Sequence, residues 1–305
     1  MSSMRVPNLM SNSQSLLDLQ RIKQQFAETT MQLSTGQAVV NIGDDPSATT
    51  QILNYQSSIS MNSEYLSQGN TATASLQSTS SLLTTMGNDL NRLLQLGQEG
   101  MTSTATAGSQ AGIATEVNAL RTDLISLGNS QVQGQYVFAG TNTTTAPFVD
   151  SADSETVTYN GNAGIINLDV GPSVQVATNI PGSTLFFGPD GEGSDTDILA
   201  QAAALRDALN TNNQAAIQTA YNNLQTISAR VNVSVADLGD RENGITALQT
   251  GLNAFNQNLT TLQTSVQSVD YPTAVVALNQ ESVAEQATLS TIAKTNQKTL
   301  FDYLA

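Results

Sequence analysis

The C-terminal half of the chain carries a long apolar stripe that limits the folds open to it. From Ile217 to Val269, positions alternately three and four residues apart are apolar except at Ser234 and Arg241. An apolar repeat of about 3.5 residues, kept over about seven heptads, predicts a helix packed along helical partners of similar length. The stripe consists of Ile217, Ala220, Leu224, Ile227, Val231, Ser234, Leu238, Arg241, Ile245, Leu248, Leu252, Phe255, Leu259, Leu262, Val266 and Val269.

The same stretch predicts an elongated protein. It contains no proline, and at about 1.5 Å of rise per residue its helix would reach about 80 Å. Gly239, Gly244 and Gly251 each weaken a helix by about 1 kcal/mol relative to alanine. We therefore expect a bend or a break between Leu238 and Gly244.

The N-terminal region also has a helical pattern. Gly36 follows it as a predicted stop, because glycine adopts the left-handed conformation at low cost. The predicted helix spans Asn8 to Ser34, with Leu16, Leu19, Phe26 and Leu33 on one stripe and Lys23 and Thr30 in its gaps.

Asp44, Asp45 and Pro46 mark the start of the next predicted helix. A residue before proline avoids the helical region, so Asp45 can cap the free amides while Pro46 takes the first helical position. A catalytic dyad is the alternative, since adjacent carboxylates can share a proton. We favour the cap, because side chains at adjacent positions point apart.

Two further helical stripes are predicted partners of the C-terminal stripe. Stripes of this length must be covered by other apolar surface, so we expect the three to pack together. The first consists of Leu76, Thr79, Leu83, Met86, Leu90, Leu93 and Gly97, and the second of Ile113, Val117, Leu120, Leu124, Leu127 and Gln131.

The pattern changes from helical to β-rich after Gly134. A β-hairpin is predicted here, because the dipeptide Asn160-Gly161 favours a two-residue turn. Its strands would be Thr156–Tyr159 and the alternating run with Ile166, Leu168 and Val170. We place a β-rich insertion at residues 141–193. Phe186 and Phe187 are expected in its core, with an exposed contact as the alternative.

Helical pattern returns from Asp195 to Leu209 and is expected to continue into the long stripe. Asp270, Tyr271 and Pro272 interrupt that stripe once. Beyond them Val276, Val283, Ala287, Phe301 and Leu304 keep its frame, while Leu278, Leu289, Ile292 and Leu300 fall beside it.

These elements predict a mainly α fold: an elongated antiparallel helical bundle or coiled coil formed by the N- and C-terminal halves, with a small inserted β-rich domain. We assign residues 1–42 and 270–305 to a terminal coiled coil. Residues 43–140 and 194–269 form a helical middle domain, and residues 141–193 the β-rich outer insertion.

Composition excludes several functions. Ten Lys and Arg against 25 Asp and Glu give a net charge of −15, which argues against binding nucleic acid or an anionic membrane. The chain has no Cys and no His, so it lacks a thiolate nucleophile, an imidazole base, disulfides and the usual zinc ligands. No apolar run is long enough for a transmembrane helix, and we expect no cleaved signal peptide.

Carboxylates leave two chemical alternatives open. Asp190, Glu192, Asp195 and Asp197 could coordinate calcium, but their spacing does not fit the 12-residue calcium loop, so a solvated loop with a helix cap is favoured. A carboxylate-pair hydrolase is the remaining enzyme hypothesis. The chain lacks tryptophan, which commonly lines sugar clefts. We predict no catalysis, no cofactor and no metal.

The two chain ends, each of about 30 residues, are amphipathic helices without a domain of their own. Isolated helices of this kind are marginal in water, so we expect the ends to need each other and further subunits. The predicted assembly interface consists of Leu16, Leu19, Phe26, Leu33, Val276, Val283, Leu289, Ile292, Leu300, Phe301 and Leu304.

Several motifs, in order along the chain, resemble the flagellin superfamily, and within it the hook-associated group. They are Met4-Arg5-Val6, Leu33-Ser34-Thr35-Gly36, Asp44-Asp45-Pro46, Gly134-Gln135-Tyr136-Val137-Phe138-Ala139-Gly140, Pro147-Phe148, Leu238-Gly239-Asp240-Arg241-Glu242-Asn243, Ser265-Val266-Gln267-Ser268-Val269-Asp270 and Leu300-Phe301-Asp302-Tyr303-Leu304. The resemblance spans essentially the whole chain. Since Met1-Ser2-Ser3 precede the family's usual start, Met4 is a candidate initiator.

The resemblance implies a non-catalytic structural protein of the bacterial flagellum that joins hook to filament and supports swimming. Its paired terminal helices would self-assemble into the axial tube. Its expected partners are another hook-associated protein on the hook side, flagellin or the adjoining cap-side filament, and an export chaperone that engages the C-terminal region. The resemblance implies an extracellular location, reached by type III export without a cleaved signal peptide.

Two alternatives remain within the same resemblance. One is flagellin itself, which differs mainly in the segments Tyr136–Phe148 and Phe301–Leu304. The other is a secreted adhesin or effector with a flagellin-like export signal, which would carry a large binding domain in place of the short insertion at residues 141–193.

Overall fold

Most of the described chain is helical. The computed structural model describes residues 5–41, 43–102, 107–151 and 156–304, and the side chains of residues 13–41, 43–102, 108–151 and 156–294. Within those ranges the α-helices are α1 (Arg5–Thr35), α2 (Pro46–Gly100), α3 (Ala107–Gly128), α4 (Ile198–Asn210), α5 (Gln214–Gln267) and α6 (Tyr271–Leu304). The mainly α fold class is confirmed.

The chain forms two compact units. Met1–Met61 and Phe255–Ala305 make up the terminal unit, and Asn62–Ala254 make up the central unit. Both units contain part of α2 and part of α5. Among the described residues, the buried apolar side chains lie almost entirely in the central unit, which therefore has the larger core.

In the central unit, α2 and α5 pack antiparallel through their apolar stripes. Gly97 of α2 lies beside Tyr221 of α5, and Gly69 lies beside Ile245, so residue numbers rise along one helix as they fall along the other. The stripes were predicted to be partners, and this is confirmed. Fully buried side chains of α2 are Ala72, Leu76, Thr79, Leu83, Met86, Leu90 and Leu93, and those of α5 are Ile217, Leu224, Ile227, Val231, Leu238 and Ile245.

Helix α5 runs without interruption from Gln214 to Gln267, so the break expected between Leu238 and Gly244 does not occur in this fully described stretch. Leu238 and Ile245 flank the glycines and are completely buried. Their packing holds the backbone helical although glycine itself disfavours a helix, since tertiary contacts supply most helical stability in proteins.

The apolar stripe of α5 keeps its predicted frame through Leu252, and Leu259 further along is also buried on it. Phe255 is 53% exposed and Leu262 is 48% exposed, whereas Asn256 and Gln263 are half-buried. The single seven-heptad frame is therefore wrong at Phe255 and Leu262, although Leu259 is buried and Val266 and Val269 are half-buried as predicted. A straight α-helix drifts by about 20° per heptad relative to a 3.5-residue repeat, so over several heptads the inward face moves by about one residue.

Helices α3 and α4 complete the helical part of the central unit. Arg92 Nε of α2 donates to Glu116 Oε1 of α3 at 2.6 Å, and Arg206 Nη1 of α4 donates to Asn118 Oδ1 of α3 at 3.2 Å. The predicted α3 stripe is buried at Ile113, Val117 and Leu124 and half-buried at Leu120 and Leu127, while Gln131 lies in a strand instead.

Asp197 fixes the start of α4. Its Oδ1 accepts hydrogen bonds from the amides of Leu199 and Ala200 at 2.8 and 3.2 Å. The helix therefore begins at Ile198, three residues after the predicted start at Asp195. It ends at Asn210, and Asn212 has a φ of 50°. A left-handed residue cannot continue a right-handed helix, so the expected continuous helix into the long stripe is also wrong.

A β-rich segment interrupts the helices, as predicted. The described strands form three two-stranded antiparallel sheets. β1 (Gln131–Val132) pairs with β2 (Gln135–Tyr136), β3 (Phe148–Asp150) with β4 (Val157–Tyr159), and β5 (Asn167–Gly171) with β6 (Val174–Ala177). A single π-helical turn, Ser183–Phe187, follows them.

The hairpin predicted around Asn160-Gly161 is wrong. β4 pairs with the earlier strand β3, placing Phe148 opposite Tyr159, and β5 pairs with β6. A type I′ turn needs a positive φ at both central residues, and neither Asn160 nor Gly161 has one. The turn of the β5–β6 hairpin falls instead at Ser173, whose φ is 61°.

An aromatic cluster forms the core of the insertion. Phe148 lies at its centre, with its ring centroid 4.4 Å from that of Phe186 and 5.2 Å from that of Tyr159. Phe186 and Phe187 are 0% and 4% exposed, which confirms their predicted core position. Arg121 of α3 ties this core to the helices: its guanidinium is almost fully buried and donates to both carboxylate oxygens of Asp150 in β3 at 3.0 and 3.2 Å.

The exposed glycines of α5 allow a direct test of helix stability. A Cβ on Gly244 would meet no atom within 4 Å, so Gly244→Ala adds helix propensity without a clash. We expect it to raise the free energy of unfolding by about 0.5–1 kcal/mol, measured by urea denaturation. Gly128→Ala is the control, because its Cβ would lie 2.6 Å from Phe148 Cδ2. It should destabilise, and equal effects at both positions would contradict this account.

Asp89 of α2 gives a pH-dependent prediction. Burial, and secondarily repulsion from Asp123 of α3, raise the pKa of Asp89 above its ordinary 3.8. The folded state therefore holds this proton more tightly, and the stability it supplies is lost as the pH rises through the raised pKa. Asp89→Asn removes that loss, so its Tm should exceed that of the parent at pH 7 and converge with it below about pH 4.

Thermal melts between pH 3 and 7 check this expectation. Asp240→Asn, at an exposed position of α5, is the matched control for the loss of one carboxylate and should not reproduce the higher Tm at pH 7. A lower Tm for Asp89→Asn at pH 7 would show that the carboxylate stabilises the α2–α3 contact.

Candidate functional site: the paired terminal helices

Helices α1 and α6 pack against each other in antiparallel orientation within the terminal unit. Thr29 Oγ1 of α1 donates to Glu281 Oε1 of α6 at 3.1 Å, and Lys23 Nζ lies 3.9 Å from Glu285 Oε1. Residue numbers thus fall on α6 as they rise on α1. The expected pairing of the two chain ends is confirmed for their described parts.

The base of this pair is closed by backbone hydrogen bonds. Gly36 ends α1 with a φ of 72°, a conformation that favours glycine. The amide of Ala38 donates to the carbonyl of Gln267 at 2.7 Å, and the amide of Val269 donates to the carbonyl of Gly36 at 3.0 Å. These two hydrogen bonds therefore hold the C-terminal end of α1 next to the segment that precedes α6.

The two helices bury very little of their own surface. They contain 31 and 34 residues, yet among their described side chains only Thr29 and Ala274 are buried, at 8% and 7% exposure. Their contacting faces are mostly half-buried. A pair of helices covers one stripe of each partner, so most of the surface of α1 and α6 stays open in the single chain.

The predicted interface residues divide between the contacting and the open faces. Those that are half-buried toward the partner helix are Leu19, Phe26, Leu33 and Ile292. Those that are exposed are Leu16, Val276, Val283 and Leu289, at 51%, 56%, 66% and 45%. Leu300, Phe301 and Leu304 lie in α6 beyond the residues whose side chains are described.

The predicted stripe of α1 is correct at Leu19, Phe26 and Leu33 but wrong at Leu16 and at the positions between them. Ile22 and Thr29 face inward, whereas Lys23 and Thr30, which were assigned to the gaps of the stripe, are exposed together with Leu16. The sequence signal for the true seam was present, because Leu19, Ile22, Phe26 and Leu33 also follow three- and four-residue spacing. Choosing between two frames one residue apart requires the partner helix.

Exposed apolar side chains are concentrated in the terminal unit. It holds twelve of the fifteen large apolar side chains that are exposed among the described residues, while the central unit holds Val149, Ile165 and Val233. Those of the terminal unit are Leu16, Leu17, Met31, Leu53, Met61, Phe255, Leu262, Tyr271, Val275, Val276, Val283 and Leu289. Exposed apolar surface on this scale is typical of an interaction surface.

The net negative charge, by contrast, is concentrated in the central unit. The terminal unit has five Lys and Arg against eight Asp and Glu, a net charge of −3, and the central unit has five against seventeen, a net charge of −12. Copies of the central unit therefore repel one another, whereas the terminal unit is nearly neutral. Close approach between copies is easiest through the terminal helices.

The carboxylates of the suggested dyad have separate structural roles. Asp45 Oδ1 accepts from the amides of Ser47 and Ala48, both at 2.9 Å, which confirms the predicted cap of α2. Asp44 Oδ2 accepts from the backbone amides of Val40 and Asn41 instead. Both groups stabilise the loop that leads into α2.

The acidic run before α4 is likewise used in local hydrogen bonds. Asp197 caps the helix and its Oδ2 accepts from the amide of Gly193 at 2.8 Å, while Asp195 accepts from the side chain of Asn223. Burial raises the pKa of Asp197. The described residues hold no cluster of three or more potential metal-binding side chains. None of the described helices combines the length and the hydropathy needed to span a membrane.

Comparison with known proteins gives matches along the chain. Residues 6–143 match the family model of the bacterial flagellin N-terminal helical region. Flagellar hook-associated protein 3 of Escherichia coli K12 is 27% identical over 217 residues, covering 68% of this chain and 67% of that protein. The protein of the same name from Salmonella typhimurium is 24% identical over 323 aligned positions, covering 98% of this chain and 99% of the relative.

Solved structures share the fold. A putative flagellar hook-associated protein from Vibrio parahaemolyticus superposes with a TM-score of 0.67 at 21% identity, covering 74% of this chain and all of that one. The flagellar junction protein FlgL from Legionella pneumophila gives a TM-score of 0.60 at 16% identity, covering 71% and 99%. The chain is therefore similar to the bacterial flagellin N-terminal helical region over residues 6–143 and to the Salmonella hook-associated protein 3 over nearly its whole length.

Proposed function

We propose that this chain is a non-catalytic structural subunit of the bacterial flagellum that joins the hook to the filament. The observation that carries the proposal is the pair of long helices, α1 and α6, in which only Thr29 and Ala274 are buried among the described side chains. Such helices need further apolar partners to be stable in water. The relatives named flagellar hook-associated protein 3 support the junction role.

In the proposed assembly, each subunit contributes its α1–α6 pair to the axial tube. The seam between the two helices stays within the subunit. The exposed residues Leu16, Val276, Val283 and Leu289 contact neighbouring copies or the adjoining axial proteins, and Leu300, Phe301 and Leu304 extend that interface. Burial of these side chains in the tube supplies the free energy that orders the terminal helices.

The domain arrangement belongs to the same proposal. Residues 1–42 and 270–305 form the inner axial domain, residues 43–140 and 194–269 the middle domain, and residues 141–193 the outer insertion. The net charge of −12 on the central unit limits association through the middle and outer domains.

The proposed partners follow from the position in the flagellum. Another hook-associated protein binds on the hook side, and flagellin or the cap-side filament binds on the other. The subunit reaches this extracellular site through the flagellar export apparatus with the help of a chaperone. The absence of cysteine suits this route, because no disulfide has to form or break during passage.

Two exposed valines offer a matched test of the assembly surface. Val283 of α6 is 66% exposed in the terminal unit, and Val233 of α5 is 68% exposed in the central unit. Neither side chain is needed for the core of its own unit. We expect Val283→Asp to reduce incorporation into flagella at least about tenfold, because its carboxylate would have to be buried without a partner, whereas Val233→Asp should assemble normally.

Complementation of a host that lacks its own junction protein provides the measurement. Swimming, attached filament and the amount of each variant in sheared flagella are compared at equal export. If Val283→Asp supports normal swimming, or if Val233→Asp is equally defective, the proposed surface is wrong.

Seeded assembly separates a junction subunit from flagellin, the main alternative. A junction protein forms a short layer on its seed, because its next partner is a different protein, whereas flagellin extends without limit. We expect purified chain added to hook fragments carrying the first hook-associated protein to bind to saturation within one short layer. Continuous growth, followed by light scattering and electron microscopy, would favour flagellin.

A further inference from the structure

We propose that Glu281 and Thr29 form a polar layer that fixes the register of the α1–α6 pair. Thr29 is the most buried described side chain of α1, at 8% exposure, and its hydroxyl donates to Glu281 Oε1 at 3.1 Å. The other carboxylate oxygen, Oε2, is buried and has no hydrogen-bond partner. A carboxylate therefore sits inside a seam that is mostly apolar, although the seam also contains Glu285 and Thr288 of α6.

The position of Glu281 in the helix pattern shows that it belongs to the seam. The inward face of α6 follows alternating spacings of four and three residues, and Glu281 is its third member. This face consists of Ala274, Leu278, Glu281, Glu285, Thr288 and Ile292, each buried or half-buried. The facing residues of α1 are Leu19, Ile22, Phe26, Thr29 and Leu33. An apolar side chain at position 281 would extend the apolar part of this face by one position beyond Leu278.

A buried carboxylate with one unpartnered oxygen weakens the pair in which it lies. Removing a charge from water costs free energy that a single hydroxyl does not return. Replacing Glu281 by leucine should therefore make the helix pair more stable. Glu281 instead favours one register over the others. A single polar residue in a coiled-coil seam is known to specify register in this way.

The hydrogen bond to Thr29 exists in only one register. Sliding one helix by a heptad in an antiparallel pair would place Glu281 opposite Ile22 or opposite Gly36, beyond the end of α1. Opposite Ile22 both carboxylate oxygens would be buried without a donor. The slipped pair thus loses the hydroxyl of Thr29 together with the backbone hydrogen bonds of Ala38 with Gln267 and of Val269 with Gly36, and the observed register is favoured.

A second pair agrees with the same register. Lys23 Nζ lies 3.9 Å from Glu285 Oε1, with the two side chains 58% and 27% exposed. This contact is too exposed and too long to contribute much energy. A one-heptad slip would nevertheless move Lys23 opposite Leu278 or Ile292, so it disfavours the same alternatives as Glu281.

The consequence for assembly rests on the proposed function. A slip of one heptad would displace the outer stripe of α1 relative to that of α6 by about 10 Å, at about 1.5 Å per residue. Leu16 on α1 and Val283 on α6 would then present a surface that neighbouring subunits could not match. Glu281 therefore lowers the stability of the free α1–α6 pair but restricts the pair to one register and one outer surface.

Spin-label distances in the full-length chain test the register. The chain has no cysteine, so Gln14→Cys and Gln280→Cys, both at exposed positions, can be labelled without background. We expect one distance in the parent and with Glu281→Gln, whose amide can still accept from Thr29. Glu281→Leu should add a second population displaced by about 10 Å along the helix axis. Glu28→Leu removes an exposed carboxylate and is the matched control.

Hydrogen exchange on the same variants tests whether Glu281 destabilises the α1–α6 pair. Exchange of residues 13–35 and 271–294 should slow at least about tenfold in Glu281→Leu and stay unchanged in Glu28→Leu. The proposal is wrong if the parent shows a broad distance distribution or if Glu281→Leu shows a single distance. It is also wrong if hydrogen exchange in Glu281→Leu is faster or unchanged, or if Glu28→Leu shows the same effect. These measurements use the free chain, so they stand apart from the Val283→Asp test of the proposed function.

Discussion

The antiparallel packing of α2 on α5 is the interaction on which the central unit depends. Their apolar stripes cover each other, and polar positions along α5 are used to hold the β-rich insertion. Arg241, an exception in the predicted stripe, donates to the carbonyl of Ala177 at 3.0 Å. Arg230 donates to the carbonyl of Thr196 at 2.7 Å and to that of Leu185 at 3.1 Å. One helix face thus builds the core while its arginines donate to backbone carbonyls of the insertion and of the loop before α4.

The terminal unit follows the same antiparallel principle but leaves its core open. The central unit closes its seam with several helices and the insertion, whereas the described parts of α1 and α6 pack mainly on each other. Their exposed apolar side chains and low net charge make this unit the part of the chain that further subunits can cover. One closed and one open seam agree with the proposed role of the chain as a subunit of a larger assembly, in which the open seam would contact other subunits.

Local chemistry was predictable where a few neighbouring residues decide the conformation. The start of α2 at Pro46, the stop of α1 at Gly36 and the break before α6 at Asp270 all depend on backbone preferences. The predictions failed where distant partners decide. Asn160-Gly161 has the composition of a hairpin turn, yet β4 pairs with β3 because the aromatic core forms around Phe148. The break expected at the glycines of α5 does not occur because Leu238 and Ile245 are packed on either side.

The sequence by itself determined the helical class, the two amphipathic ends, the β-rich insertion and the absence of histidine and cysteine chemistry, because periodicity and composition are properties of the chain alone. Only the tertiary structure decided which of two adjacent frames faces inward in α1, where the frame of α5 shifts, and that Glu281 meets Thr29. Residue type alone does not choose between frames one residue apart, since Asn256 and Gln263 are half-buried while Phe255 and Leu262 are exposed. The choice depends on which partner lies opposite, and the partner of Thr29 is more than 200 residues away in sequence.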